Sequence, residues 1–192
     1  GNIGSKKRKK YGVVGKNVNL TARIESYTVG GQIFISENTV EECGEHLLRI
    51  DDSMEVMPKG VKKPITIYEV GGIGGEFNLY LPDKVEAPLV DMDEPLPIRF
   101  TILEGKHAGD DINQGRGVRM LGAEAEIEAD VAAEKLTNIK ISVLDKAGSE
   151  ITSDLYAKVI KKISENPGLM RVNFTSIPPE VRNLLSLNQE TH

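Results

Sequence analysis

A stretch rich in glycine, proline and acidic residues separates two unlike parts of this sequence. Residues 71–97 contain the run GGIGG, four prolines and the acidic run DMDE. Residues 1–70 carry 11 basic and 9 acidic side chains, whereas residues 71–192 carry 13 basic and 20 acidic side chains. Because glycine and proline interrupt helices and strands, we predict a linker at 71–97. The chain is therefore expected to form two domains, at 1–70 and at 98–192.

Strand and helix patterns alternate in the first domain. The segment YGVV at residues 11–14 predicts a short strand, followed by a turn at Gly15 and Lys16. Leu20, Ile24 and Tyr27 then recur at helical spacing, and this apolar stripe predicts an amphipathic helix. Later predicted elements are a strand at 32–36, a helix at 38–46, a strand with its approach at 47–50 and 54–57, a turn at 58–60 and a strand at 65–70. This order is typical of an α/β domain.

Two polar residues of the predicted helix suit a phosphate ligand. Asn19 and Arg23 are four residues apart, so their side chains meet on the face beside the apolar stripe. The arginine offers a planar fork of donors, and the asparagine can orient oxygens by hydrogen bonds. From spacing alone, a solvated pair on an exposed helix face is the commoner interpretation.

The pattern GNIGSxxRxxYxxxGxxVNxxARxES at residues 1–26 resembles the later half of the catalytic domain of class III nucleotide cyclases, the adenylate and guanylate cyclases. The similarity continues through GGQIFISENTVEEC and ends at VMPKGVKKPITIYEV. It implies a partial cyclase-type, ferredoxin-like α/β half-domain. By resemblance, Asn19 and Arg23 are catalytic and stabilise the ribose and the transition-state phosphate charge. The resemblance also implies substrate-binding positions at Arg8, Gly12 and Lys59.

The sequence departs from the family at several positions. The residue that selects the purine is Gly12 here, which has no side chain to read a base edge, and the usual Gly-Asp before VN is Gly15-Lys16. The two metal-binding aspartates and a purine-selecting lysine come earlier in family members than this chain begins. Two-metal chemistry requires its carboxylates, so we expect this polypeptide alone to bind no metal and to be inactive. Because it opens with glycine in mid-motif, we expect a fragment of a longer cyclase.

The complete enzyme implied by the resemblance converts a nucleoside triphosphate to a 3′,5′-cyclic nucleotide and pyrophosphate. It would use Mg²⁺ or Mn²⁺ and act as a homodimer, with adenylate cyclase as the favoured activity. An alternative stays open, in which a degenerate cyclase remnant serves as a non-catalytic signalling module. Gly12 and Lys16 favour that alternative.

The second domain shows short strand patterns separated by turn signals. Such spacing predicts a small antiparallel β-barrel, and with the first domain it makes an α+β chain. A C-terminal helix is predicted after Ser176. The six strand candidates lie at 98–103, 118–121, 125–129, 138–144, 155–163 and 169–174.

The barrel is similar to PilZ-like domains in the segments GVRMLGAEAEIEAD and VNFTSIPPEVRNLL. Family members that bind cyclic di-GMP use RxxxR and a D/NxSxxG stretch. Here Arg116 and Arg119 are only three apart, and the second stretch is not matched. Because Glu124, Glu126 and Glu128 would repel a dianion, we expect a degenerate barrel that binds partners or regulates, with cyclic di-GMP unlikely.

Composition excludes several other classes of function. The chain has 5% aromatic residues and no tryptophan, and its net charge is −5, so we expect no nucleic-acid partner. Cys43 is the only cysteine, which favours a reducing, cytoplasmic setting. No stretch is apolar enough to span a membrane, but this leaves open a membrane or sensor segment upstream in the complete protein. The basic run KKRKK at 6–10 could contact phosphate or a membrane, although a solvated hairpin tip is the commoner interpretation. The GGIGG run lacks the spacing of a dinucleotide-binding loop.

Overall fold

The computed structural model describes residues 1–5, 7–58, 60–84, 88–104, 107–163, 166–179 and 181–182. The chain divides into two compact units, Gly1–Lys84 and Val85–His192, which we call the first unit and the second unit. The fold is mostly β, with two α-helices in its described part. Parts of three strands, Ile65–Ile73, Leu79–Tyr80 and Val90–Glu104, lie within the predicted linker at 71–97.

The first unit contains both helices. Its elements in chain order are β1 Asn2–Ser5, β2 Arg8–Tyr11, α1 Lys16–Glu25, β3 Phe34–Ser36, α2 Glu37–Cys43, a 3-10 helix Glu45–Leu47, β4 Leu48–Val56, β5 Ile65–Ile73 and β6 Leu79–Tyr80. The main sheet has the order β3-β5-β4, and β6 also pairs with β5. All these pairs are antiparallel.

The apolar stripe predicted for α1 is confirmed. Ile24 is buried, and Leu20 and Tyr27 are half-buried. Burial raises the pKa of the Tyr27 hydroxyl, because the ionised phenolate loses hydration there. The core of the first unit also contains four buried residues from α2, β4 and β5: Val40, Val56, Ile67 and Val70.

The predicted strand at residues 11–14 is wrong. Strand β2 ends at Tyr11, where it pairs with Asn2, and the last main-chain bond joins the Gly12 N–H to the Gly1 carbonyl at 2.9 Å. A strand needs a partner for its amides and carbonyls, and within the described residues neither Val13 nor Val14 is paired with another strand. Both valines are exposed. The basic run lies at the tip of the exposed hairpin formed by β1 and β2, apart from residue 6, which lies outside the described residues.

The second unit is a closed antiparallel barrel. Its strands are β7 Val90–Glu104, β8 His107–Leu121, β9 Glu124–Ala129, β10 Asn138–Leu144, β11 Glu150–Lys162 and β12 Leu169–Ser176. They close in the order β10-β11-β12-β9-β8-β7. The predicted small barrel and all six of its strand candidates are therefore confirmed, although β7, β8 and β11 are longer than expected.

Strand β7 begins inside the predicted linker and contains two prolines. It pairs with β10 only from Ile98 onwards, so the segment before Ile98 is bonded on one side, to β8. Between Asp91 and Leu96 the register with β8 also shifts. Proline lacks an amide hydrogen, and an edge or a bulge is where a sheet accepts it, so Pro95 and Pro97 do not end the strand.

The barrel interior is filled by side chains. Alternate residues point inward, as in β10, where Ile139, Ile141 and Val143 are at most 1% exposed. Phe100 from β7 and Val159 from β11 are equally buried among them. The predicted C-terminal helix falls mainly on residues 183–192, outside the described residues. Before them, Val181 is completely buried in the barrel core.

Candidate functional site

Helix α1 places Asn19 and Arg23 one turn apart on the same side. The helix begins after Gly15, and the Asn19 N–H donates to the Gly15 carbonyl at 3.0 Å. Packing of the apolar stripe then sets the rotation of the helix, which leaves Asn19 exposed and Arg23 half-buried. An amide and a guanidinium thus lie one turn apart on the same side of α1, at the border between core and solvent.

The side chain of Arg23 lies against the turn that follows Pro58. A hydrogen bond of 3.0 Å from the Val61 N–H to the Pro58 carbonyl closes this turn, as the sequence predicts. Gly60 has φ +75°, and a Cβ atom on it would lie 3.1 Å from Nη1 of Arg23. The guanidinium therefore occupies space that a larger residue at position 60 would restrict.

The other three predicted substrate-binding residues lie elsewhere or cannot be placed. Arg8 is exposed on β2, opposite Ser5. Gly12 is half-buried, and both its main-chain polar groups bond to Gly1, at 2.9 and 2.8 Å. Lys59 lies outside the described residues. Arg8 and Gly12 thus belong to the hairpin of β1 and β2. Gly60, the residue after Lys59, lies beside Arg23.

An open cleft of about 580 Å³ lies on another side of α1, and the sequence analysis did not identify it. Its polar edge includes Lys16, Asn17 and Thr21, and Thr21 donates to the Asn17 carbonyl at 2.9 Å. Neither Asn19 nor Arg23 lines it. The remaining lining residues are Leu20, Ile24, Phe34, Ile35, Ser36, Glu37, Asn38, Thr39, Glu42, Pro64, Ile65 and Thr66. The sequence signal that could have identified this cleft is a pair of polar residues four apart on α1, Asn17 and Thr21.

The start of α1 lacks the acidic side chain that commonly stabilises the positive end of a helix dipole. Its first turn contains no acidic residue and begins with Lys16, at the end where the helix dipole is positive.

Within the described ranges, no group of three or more His, Cys, Asp or Glu side chains could hold a metal ion. No described helix has the length and apolar character needed to cross a bilayer.

In the barrel, both Arg116 and Arg119 are engaged by carboxylates. Arg116 lies directly opposite Glu128, with Nη2 and Oε2 2.7 Å apart. Arg119 contacts Asp91 at 2.9 Å and Glu126 at 3.2 Å. The glutamates of β9 thus neutralise the cations that an anionic ligand would need.

Comparison with known proteins finds a match for the first unit. Residues 1–72 match the family described as "Adenylate and Guanylate cyclase catalytic domain". A solved structure, the "Crystal structure of the guanylyl cyclase Cya2", is 57% identical over 43% of this chain and 41% of that chain, with a TM-score of 0.40. This chain therefore spans well under half the length of that relative. The search of curated proteins gives no match.

Proposed function

We propose that the first unit is the later part of a nucleotide cyclase catalytic domain and that the barrel regulates it. The complete domain would convert a nucleoside triphosphate to a 3′,5′-cyclic nucleotide and pyrophosphate in intracellular signalling. The observation that carries the proposal is the family match over residues 1–72, which includes both Asn19 and Arg23. Their placement on one side of α1 supports a joint role.

The chemistry assigned to this pair is electrostatic. The Arg23 guanidinium would donate to the oxygens of the α-phosphate as negative charge develops there, and Asn19 would orient the ribose. A half-buried cation acts more strongly than an exposed one, because less water screens its field. Contact with the Gly60 turn would hold the guanidinium in place, so little reorganisation would be needed during the reaction.

The described residues do not fit a pair of metal ions, because they provide no cluster of carboxylates. The family nevertheless uses divalent metals, so we attach Mg²⁺ or Mn²⁺ to the complete catalytic domain and derive no step through them here. A homodimer is likewise proposed for the complete enzyme, in the cytoplasm.

Experiment must decide which purine base the complete enzyme would select. Adenylate cyclase is our first proposal, although the sequence itself does not settle ATP against GTP, and the solved relative is named a guanylyl cyclase. Gly12 stands at the position that selects the base in the family and presents only main chain. Selection would then depend on a lysine contributed by the earlier half of the domain.

For the barrel we propose binding of a protein partner. The ion pairs with carboxylates of β9 and β7 leave neither Arg116 nor Arg119 open to an anionic ligand, which supports a protein partner over a dinucleotide. Cyclic di-GMP carries two phosphates and would have to displace these carboxylates. A PilZ-like ancestry accords with the closed six-stranded barrel but rests on the two sequence segments.

A second candidate function is a signalling module without catalysis. Two observations favour it, namely the absence of a side chain at Gly12 and the lysine that replaces the usual aspartate at the start of α1. In this case the first unit would serve as a docking or dimerisation surface.

The experiment that separates these functions is a cyclase assay with Mn²⁺. The polypeptide is extended upstream to a complete catalytic domain, and ATP and GTP are tested in parallel. Product that is lost in Arg23→Ala but kept in Glu25→Gln, an exposed residue of the same helix, would support the enzyme and identify its base. A folded, dimeric protein that forms no product would support the signalling module instead.

A further inference from the structure

The glycine run GGIGG in the first unit makes room for an arginine. Where β4 pairs with β5, the register skips Gly71 on one strand and Asp51 on the other. A Cβ atom on Gly71 would lie 2.3 Å from both Nε and Nη2 of Arg49 and from Oδ2 of Asp51. The bare main chain at Gly71 therefore lets the guanidinium of Arg49 lie directly on the sheet.

From this position Arg49 reaches across β5 to the segment that follows it. Its Nη1 donates to Oδ1 of Asp83 at 3.0 Å, and its Nη2 donates to the Leu81 carbonyl at 3.1 Å. The centre of the guanidinium is 5.9 Å from the centre of the Tyr80 ring, within the range of a cation–π contact. On the other edge of the guanidinium, Nε of Arg49 donates to Oδ1 of Asp51 at 2.9 Å.

The segment held in this way, residues 79–84, is the last part of the first unit. Besides the arginine, the antiparallel pairing of Leu79 and Tyr80 (β6) with Ile73 and Gly72 holds the start of the segment on β5, and two further contacts fix the part after β6. The Leu81 N–H donates to the Gly71 carbonyl at 2.8 Å, and Lys84 pairs with Glu69, whose side chain is 4% exposed, at 2.5 Å. The chain enters the second unit directly after Lys84.

We propose that Arg49, Asp51 and Asp83 form an ionic clamp that holds residues 79–84 on the sheet and can be released without unfolding it. The contact to Asp83 can be released because the Asp83 side chain is 93% exposed, where ion pairs are weak and are screened by salt. Strand β5 does not depend on the clamp, since it keeps its pairing with β3 and β4. The clamp would thus control how the chain leaves the first unit. This inference does not depend on the proposed cyclase function.

The test is amide hydrogen exchange of the full 192-residue chain, read at residues 79–84 and at residues 65–70 of β5. We expect Arg49→Gln to accelerate exchange at 79–84 by about tenfold and to leave 65–70 unchanged. Asp83→Asn should give a smaller acceleration, about threefold. Asp91→Asn, which removes a similarly exposed ion pair in the barrel, is the matched control and should change neither segment.

Gly71→Ala tests the steric part of the clamp. Its Cβ atom would meet the ends of two side chains rather than main chain, so it should expel the guanidinium while the sheet stays folded. The double variant Arg49→Gln/Gly71→Ala should exchange no faster than either single variant, because both remove the same contact. Raising the salt concentration should accelerate exchange at 79–84 more in the natural chain than in Arg49→Gln, where the Lys84–Glu69 pair still remains to be screened.

Two results would overturn the proposal. One is unchanged exchange at 79–84 in Asp83→Asn and Arg49→Gln. The other is an equal acceleration at 65–70 in these variants, which would mean that Arg49 stabilises the whole sheet and not one segment. Should Arg49→Gln fail to fold, Asp83→Asn alone decides, because its exposed side chain contributes little to the core.

Discussion

The guanidinium of Arg23 lies 3.1 Å from the position that a Cβ atom on Gly60 would occupy. This contact links the helix that carries the proposed catalytic pair to the turn after Pro58. It explains why a glycine with φ +75° stands in that turn: the conformation is unfavourable for other residues, and the space beside it is already taken.

We predict that Gly60→Ala both destabilises the first unit by about 1–2 kcal/mol and displaces Arg23. Gly31→Ala is the matched control, because Gly31 has φ +86° but nothing within 4 Å of its Cβ position. Urea unfolding measures the loss of stability, and the NMR shift of the Arg23 Nε–H reports the side chain. If Gly60→Ala and Gly31→Ala lose the same stability and the Arg23 signal moves in neither variant, the contact between Arg23 and position 60 is contradicted.

Replacing Lys16 with aspartate should stabilise the first unit by about 0.3–1 kcal/mol. A carboxylate interacts favourably with the positive end of the helix dipole, whereas the lysine opposes it. Lys16→Gln separates the two contributions, since it removes the charge without adding the opposite one, and it should give about half the gain. The measurement is the free energy of unfolding in urea at low salt, and a loss of stability in Lys16→Asp would contradict this explanation.

Removal of Arg119 should destabilise the barrel by about 1–3 kcal/mol. Glu126 is 7% exposed, and its Oε2 atom accepts no hydrogen bond within the described part of the chain, so the ion pair with Arg119 is an important contact for its charge. The double variant Arg119→Ala/Glu126→Gln should recover part of the loss. Arg116→Ala, which breaks a more exposed pair, should cost less than about 1 kcal/mol. Thermal unfolding of the second unit tests this, and an equal cost for both arginines would count against it.

The hydroxyl of Tyr27 should titrate above the ordinary tyrosine pKa of 10.0, because burial raises its pKa. The folded state then favours the neutral phenol more than the unfolded state does. The resulting stability is fully present below pH 10 and is lost as the pH rises through the raised pKa. In ultraviolet titrations, Tyr27→Phe should lack the late-titrating component that the natural chain shows, and an unchanged titration curve at high pH would contradict the raised pKa of Tyr27.

The helix predicted at 38–46 is present, but it ends earlier than expected. The structure has α2 at Glu37–Cys43 and a separate 3-10 helix from Glu45. The capping residue Ser36 and the acidic Glu37 located the start of the helix, and Gly44, which adopts φ +85°, marks its end. Likewise, the segments at 47–50 and 54–57, expected to be a strand and its approach, form one strand, β4, because β5 offers a pairing partner along its length.

The sequence by itself determined the elements whose residues repeat with a clear period. These are the stripe of Leu20, Ile24 and Tyr27 and the strands of the barrel, because burial of one face requires apolar residues at that period in any fold. Only the tertiary structure decided where strands stop and what unpatterned residues do. Val13 and Val14 are not paired with any described strand, β7 passes through two prolines because one side of it is free, and GGIGG accommodates Arg49. Each of these outcomes depends on which chain segments become neighbours, and one-dimensional spacing does not contain that information.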